Sequence, residues 1–192
     1  MARGLAASCA GAMVGFVDAA EALARPAGEV WSRADSPDDA ALELLEALDI
    51  STPPIDVDAV ARACGIPVLS WLFEGALSGL VIDTAEGPVI GVNSTHARNR
   101  QRFTIAHELG HAVLRHLDSF HVDLGTTTED GTPPGYNWRH ERAANDFAAA
   151  LLMPATLVTR AHERTPSVSA LAVTFEVSEL AMGFRLRTLG LT

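Results

Sequence analysis

A chain of 192 residues with a net charge of −10, from 24 acidic and 14 basic side chains, suffices for one domain with a substantial core and is too acidic for a general phosphate-backbone binder. An apolar fraction of 48% and a charged fraction of 20% are ordinary for a soluble globular protein, and no apolar run reaches the roughly 18 residues that a membrane span requires. Two cysteines, Cys9 and Cys64, exclude a disulfide framework and allow either one bridge or two free thiols.

Residues 1–35 are rich in Ala and Gly and low in pattern. The apolar run from Gly4 to Val17 and the triplet Ala22-Leu23-Ala24 have the outline of a secretory leader. A single arginine before the run, and Asp18 and Glu21 ahead of the cleavage site, argue against it. The expectation is a poorly ordered N-terminal extension on a cytoplasmic protein, with the domain occupying residues 36–192.

Order begins at Ser36, a capping residue followed by Pro37 and by Asp38 and Asp39, all suited to a helix start. Leu42, Leu45 and Leu48 form the expected buried stripe. Thr52-Pro53-Pro54 breaks the chain, and a second helix runs from about Asp56 to Cys64, stopped by Gly65. Residues 66–72 look extended. Two strands, 77–82 and 88–92, joined by Asp83-Thr84-Ala85-Glu86-Gly87, make a hairpin. Asn93, Ser94 and Thr95 offer caps for a long helix, into which Arg98, Arg100 and Arg102 lead as a solvated face. Residues 118–136 read as a polar loop, and a helix follows from about Trp138 to Met153, ended by Pro154. The tail, 167–189, reads helix, turn, helix.

The long helix contains His107-Glu108-Leu109-Gly110-His111. Residues four apart share a helix face, so both imidazoles can grip one metal ion, while Glu108, turned about 100° away, is free to act on a water. Phe103 and Leu114 fall on the histidine face, and Ile105, Leu109, Ala112 and Val113 cover much of the remainder. A helix apolar nearly all round is buried, and two buried imidazoles need a partner that a metal supplies.

A catalytic zinc site needs a third protein ligand. The extended pattern His-Glu-x-x-His-x-x-Gly-x-x-His is excluded, because Leu114 and Leu117 occupy its Gly and His positions. Asp118, His121, Asp123, Glu129, Asp130, His140 and Glu141 are the candidates. Glu141, Ala144, Asn145, Ala148 and Leu152 share one otherwise small and apolar face of the next helix. A carboxylate directed into a core needs a cation, so Glu141 is the expected third ligand. Asn145, one turn on, is placed to hydrogen-bond a metal ligand. Two nitrogens and a carboxylate favour zinc, with manganese as the alternative.

The stretches Arg100–His111 and Glu141–Pro154 together resemble the ImmA/IrrE family of metallopeptidases. The flanks agree: Pro54-Ile55-Asp56-Val57, Ala61–Ile66 and Ser78-Gly79 upstream, and Phe175-Glu176-Val177-Ser178, Arg185-Leu186 and Leu189-Gly190-Leu191 downstream. The resemblance covers roughly residues 38–191. It implies a small α+β zincin-like (gluzincin-type) domain with a short hairpin or sheet and the metal between two helices. His107, His111 and Glu141 would be the ligands and Glu108 the catalytic carboxylate. It also implies a bacterial or phage-borne endopeptidase that relieves repression by cutting a helix-turn-helix repressor, in stress-response, mobile-element or toxin–antitoxin settings.

In that reaction Glu108 takes a proton from water and returns it to the leaving amine. Tyr136, the only tyrosine, is a candidate oxyanion donor, and the strand at 89–92 is a candidate edge for substrate pairing. The rival reading is a repressor- or DNA-binding regulatory module, antitoxin-like, with a structural metal. Against it stand the net charge and a second tail helix offering only Arg185 and Arg187 to DNA.

Overall fold

In the computed structural model, which describes residues 36–75, 77–116, 120–123 and 137–191 with Val17 and Ala34 besides, Ser36 opens the first helix, α1 (Pro37–Ala47). Its Oγ accepts the Asp39 amide at 3.2 Å, satisfying one of the free donors of the first turn. The buried face is Ala40, Ala41, Leu44 and Leu45, so of the expected leucine stripe only Leu45 is fully buried. Leu42 points to solvent and Leu48 is half-buried, because two alanines let α1 lie close against a later helix. Asp56 caps α2 (Val57–Ala63) through the Ala59 amide at 3.0 Å. Gly65, at φ 75°, reverses the chain after it.

The strands are β1 (Val68–Trp71), β2 (Gly79–Thr84), β3 (Gly87–Asn93) and β4 (Phe120–Asp123), in the order β1-β3-β2-β4. β1 runs parallel to β3, and the other pairs are antiparallel. The hairpin is tighter than expected: Asp83 and Thr84 pair with Pro88 and Gly87, leaving Ala85-Glu86 as the turn. The expected polar loop contains β4, whose register on β2 is set by long-range pairing. The candidate edge at 89–92 is an interior strand, hydrogen-bonded on both sides, so it has no free edge for a substrate.

Alternation along β2 and β3 sends Val81, Ile90 and Val92 into the main core and Leu80, Ile82 and Val89 to a second cluster with Phe73 on the opposite face. The main-core face carries α3 (Arg98–Val113). At Gly79 the approach is so close that a Cβ would collide with Thr104 Cγ2 and stand 2.7 Å from the Gly91 carbonyl oxygen. The helix starts at Ala97 without a side-chain cap. Asn93 is buried instead and ties loops together. Its Nδ2 donates to the Phe73 and Leu77 carbonyls at 3.1 and 2.8 Å, and its Oδ1 accepts the Thr95 amide and hydroxyl at 3.1 and 2.9 Å.

α4 (Trp138–Leu152) packs along α3 and α1. Pro154 ends it and at once starts α5 (Ala155–Arg164), a helix absent from the sequence reading. Ser167 and Ser178 cap α6 (Val168–Phe175) and α7 (Glu179–Thr188). Among the described residues no helix is long and apolar enough to cross a membrane.

Two arginines bind this C-terminal pair to the rest. Arg102 on α3 is buried rather than solvated. Its Nε donates to the Glu176 carbonyl at 3.2 Å, Nη2 to the Phe175 carbonyl at 3.4 Å, and Nη1 lies 3.4 Å from the Glu176 carboxylate. Burial lowers its pKa, and the Glu176 carboxylate opposes the shift. Arg185 on α7 is buried too: Nε donates to the Met153 carbonyl at the end of α4 at 2.9 Å, and Nη1 meets Asp38 at 3.0 Å. Arg185 is therefore unavailable to a phosphate, and Arg187 lies over the Phe184 ring.

Candidate metal centre

Every residue of α3 from Thr104 to Val113 is buried, as its apolar surround requires. His107 and His111 therefore sit in the core, with their Nε2 atoms 3.1 Å apart. Glu141, in the first turn of α4, meets both: Oε2 lies 3.5 Å from His107 Nε2, and Oε1 3.6 Å from His111 Nε2. Ala144, Ala148 and Leu152 bury the same face of α4 against α3. Among the described residues these three form a group whose ligand atoms all lie within 4.8 Å of one another.

The spacing suits a small tetrahedral cation. Ligand bonds of about 2.0–2.1 Å set neighbouring corners of a tetrahedron about 3.4 Å apart. The separations of 3.1, 3.5 and 3.6 Å bracket that value. The chemistry of the donors agrees. Asn145 Oδ1 lies 3.1 Å from His107 Nδ1, and a carbonyl oxygen only accepts, so Nδ1 carries the proton. His107 Nε2 then presents a lone pair towards His111 Nε2 and the Glu141 carboxylate, an arrangement that a proton on His111 Nε2 or a bound cation stabilises. Glu108, between the two histidines, is wholly buried.

Helix packing holds this geometry. Gly110 lies where α3 meets α4: a Cβ there would stand 3.0 Å from Phe147 Cδ1 and 3.2 and 3.3 Å from Ala144 Cα and O. Glycine lets the helix bearing the histidines come this close to the helix bearing Glu141 without displacing Phe147 or Ala144. Further on, Arg115 takes a left-handed conformation at φ 58° and turns His116 onto His140. Those rings stack at 4.0 Å with planes 3° apart, and His116 meets His111 edge-on at 5.8 Å. Stacked imidazoles hold their lone pairs in parallel planes, so His116 and His140 cannot both direct a nitrogen at one ion. His116 escaped the sequence reading because it falls beyond the helix, outside the period that flagged its neighbours.

The other sequence candidates fare differently. Asp118, Glu129, Asp130 and Tyr136 lie outside the described residues, and His121 and Asp123 lie on β4. The N-terminal extension, apart from Val17 and Ala34, is also outside them.

The family model of the IrrE N-terminal-like domain, Peptidase M78, matches residues 61–187. The chain is 36% identical over 107 residues to the radiation response metalloprotease IrrE of Deinococcus radiodurans, a match covering 54% of this chain and 31% of that protein. Among solved structures, a Mycobacterium tuberculosis transcriptional regulator superposes with a TM-score of 0.57 at 21% identity, over 78% of this chain and 46% of that one. The chain thus spans about a third of the length of the first and under half of the second. The M78 domain has a zincin-like fold, and the α+β arrangement described above is of that kind. With the domain model matching most of its length, the chain belongs to the ImmA/IrrE family of metallopeptidases.

Proposed function

We propose that this protein is a zinc-dependent endopeptidase that cuts a helix-turn-helix transcriptional repressor at a specific site and so relieves repression. The observation that carries the reading is the convergence of His107, His111 and Glu141 from two helices on a space of tetrahedral size. These three residues would hold the metal, with manganese as the alternative ion. When bound, zinc supplies a lowered water pKa and a polarised scissile carbonyl. Asn145 fixes the His107 tautomer by accepting from Nδ1. The Glu108 carboxylate takes the proton from the attacking water and delivers it to the departing amine nitrogen, a role worth about 10²–10⁴-fold. Tyr136 is the proposed oxyanion donor.

A repressor substrate fits the charge: a chain of −10 attracts a basic DNA-binding protein and steers its approach. A substrate strand would have to pair at β1 or β4, the two strands at the sheet margins. The DNA-binding alternative loses support from the burial of Arg185. The test is incubation with the helix-turn-helix repressors of the source genome, with and without chelator. Wild-type protein should cut one of them, chelation should stop cutting, and Glu108→Gln should keep its metal and lose activity. Cleavage retained by Glu108→Gln at wild-type rate overturns the mechanism.

A further inference from the structure

Four of the seven large apolar side chains exposed among the described residues lie on α6 and α7: Val168, Val173, Leu180 and Phe184. On α7, Leu180 is 70% and Phe184 56% exposed. Leu180, Gly183, Phe184 and Arg187 stand at i, i+3, i+4 and i+7, so they form one stripe on the side away from the buried Met182, Arg185 and Leu186. Nothing among the described residues requires a glycine at 183, where an added Cβ would meet no atom within 4 Å. A glycine in a helix interior weakens the helix, and this one gains nothing from its own fold. Its benefit would come from another backbone approaching there.

We propose that this stripe is a homodimer interface, in which α7 packs antiparallel against α7 of a second copy across a two-fold axis at Gly183. The charges favour a second copy over another partner. A two-fold axis at 183 sets Glu179 of one helix opposite Arg187 of the other, twice by symmetry. It also places each Phe184 beside the partner's Gly183, where the missing side chain leaves room. Arg187, with its guanidinium 4.5 Å from the Phe184 ring, is held at the rim of the contact, ready to meet the opposing carboxylate. A DNA-reading helix would present cations and amides in this stripe; α7 presents two large apolar groups and one arginine.

The test is sedimentation equilibrium of the full chain up to about 100 μM, where a Kd near that value still gives a substantial dimer fraction. The expected result is a monomer–dimer equilibrium. Phe184→Asp and, independently, Gly183→Leu should each return it to monomer with unchanged circular dichroism. Glu179→Arg alone and Arg187→Glu alone should each weaken the dimer about tenfold, and the double charge swap should restore it. A wild-type chain that is monomeric throughout overturns the proposal. So does a dimer indifferent to Gly183→Leu, or a double swap no tighter than the singles. If the repressor, and not a second copy, is lost on Phe184→Asp, the face is a substrate-docking surface and the proposal fails.

Discussion

Gly110→Ala tests whether the candidate metal centre depends on the contact distance between α3 and α4. The added Cβ would lie 3.0 Å from Phe147 Cδ1 and within 3.3 Å of the Ala144 backbone. The phenyl ring can yield, but the backbone of α4 cannot move without carrying Glu141 and Asn145 with it. Overpacking of this kind costs about 1–3 kcal/mol. Replacing glycine by alanine within a helix returns about 1 kcal/mol. The expected net loss is about 1 kcal/mol, a fall in Tm of about 2–4 °C for a chain of this size. Metal affinity should suffer more, by about tenfold, because the carboxylate is displaced from both imidazoles. Thermal melts in chelator give the first quantity, and competition with a chromophoric zinc chelator gives the second. A variant that melts higher than wild type and binds zinc equally well would refute the close-approach argument.

Asn145→Ala should weaken zinc binding about 10–100-fold by freeing the His107 ring, with little change in the apo melt; an affinity within twofold of wild type counts against the tautomer assignment. Arg185→Ala strips the Met153 carbonyl and Asp38 of a buried donor and should cost about 2–3 kcal/mol in urea denaturation, whereas the exposed Arg187→Ala should stay within about 0.5 kcal/mol; equal effects would contradict the clamp. Burial pushes the Cys64 thiol up to about 11. With Cys9 replaced by serine, the folded protein should therefore resist alkylation at pH 8. Because the folded pKa is raised, the thiol's contribution to stability is complete below its ordinary value near 9 and is lost as pH rises towards 11. Rapid modification under native conditions, or a stability difference from Cys64→Ala that does not shrink over that interval, would be the contrary result.

Features governed by local periodicity were legible. His107 and His111 share a face with Phe103 and Leu114, and Glu141 sits on a helix side that Ala144, Ala148 and Leu152 make mostly small and apolar. The caps Ser36 and Asp56 work within three residues of themselves. What escaped depends on distant backbone. The sequence marks Arg102 as part of a solvated face and Arg185 as a cation open to DNA, because their acceptors are backbone carbonyls of Phe175, Glu176 and Met153, which carry no sequence signature. β4 was hidden in a polar stretch because its partner is β2, some forty residues earlier. The interior position of β3 follows from the parallel pairing with β1, which hairpin logic does not contain. Pro154 signals a stop in the sequence, but it also stands directly before a new helix, at its N-terminal cap.

The two buried arginines decide how small a working version of this protein can be. A peptide spanning 98–153 would carry His107, His111 and Glu141, the three residues of the candidate metal centre. It would lack the Phe175 and Glu176 carbonyls that hold the start of α3, and the Arg185 guanidinium that holds the end of α4. Each helix of the candidate centre is thus pinned at the end remote from the histidine–glutamate cluster. The motifs of the candidate site are short, but the contacts that position them reach as far along this chain as Arg185.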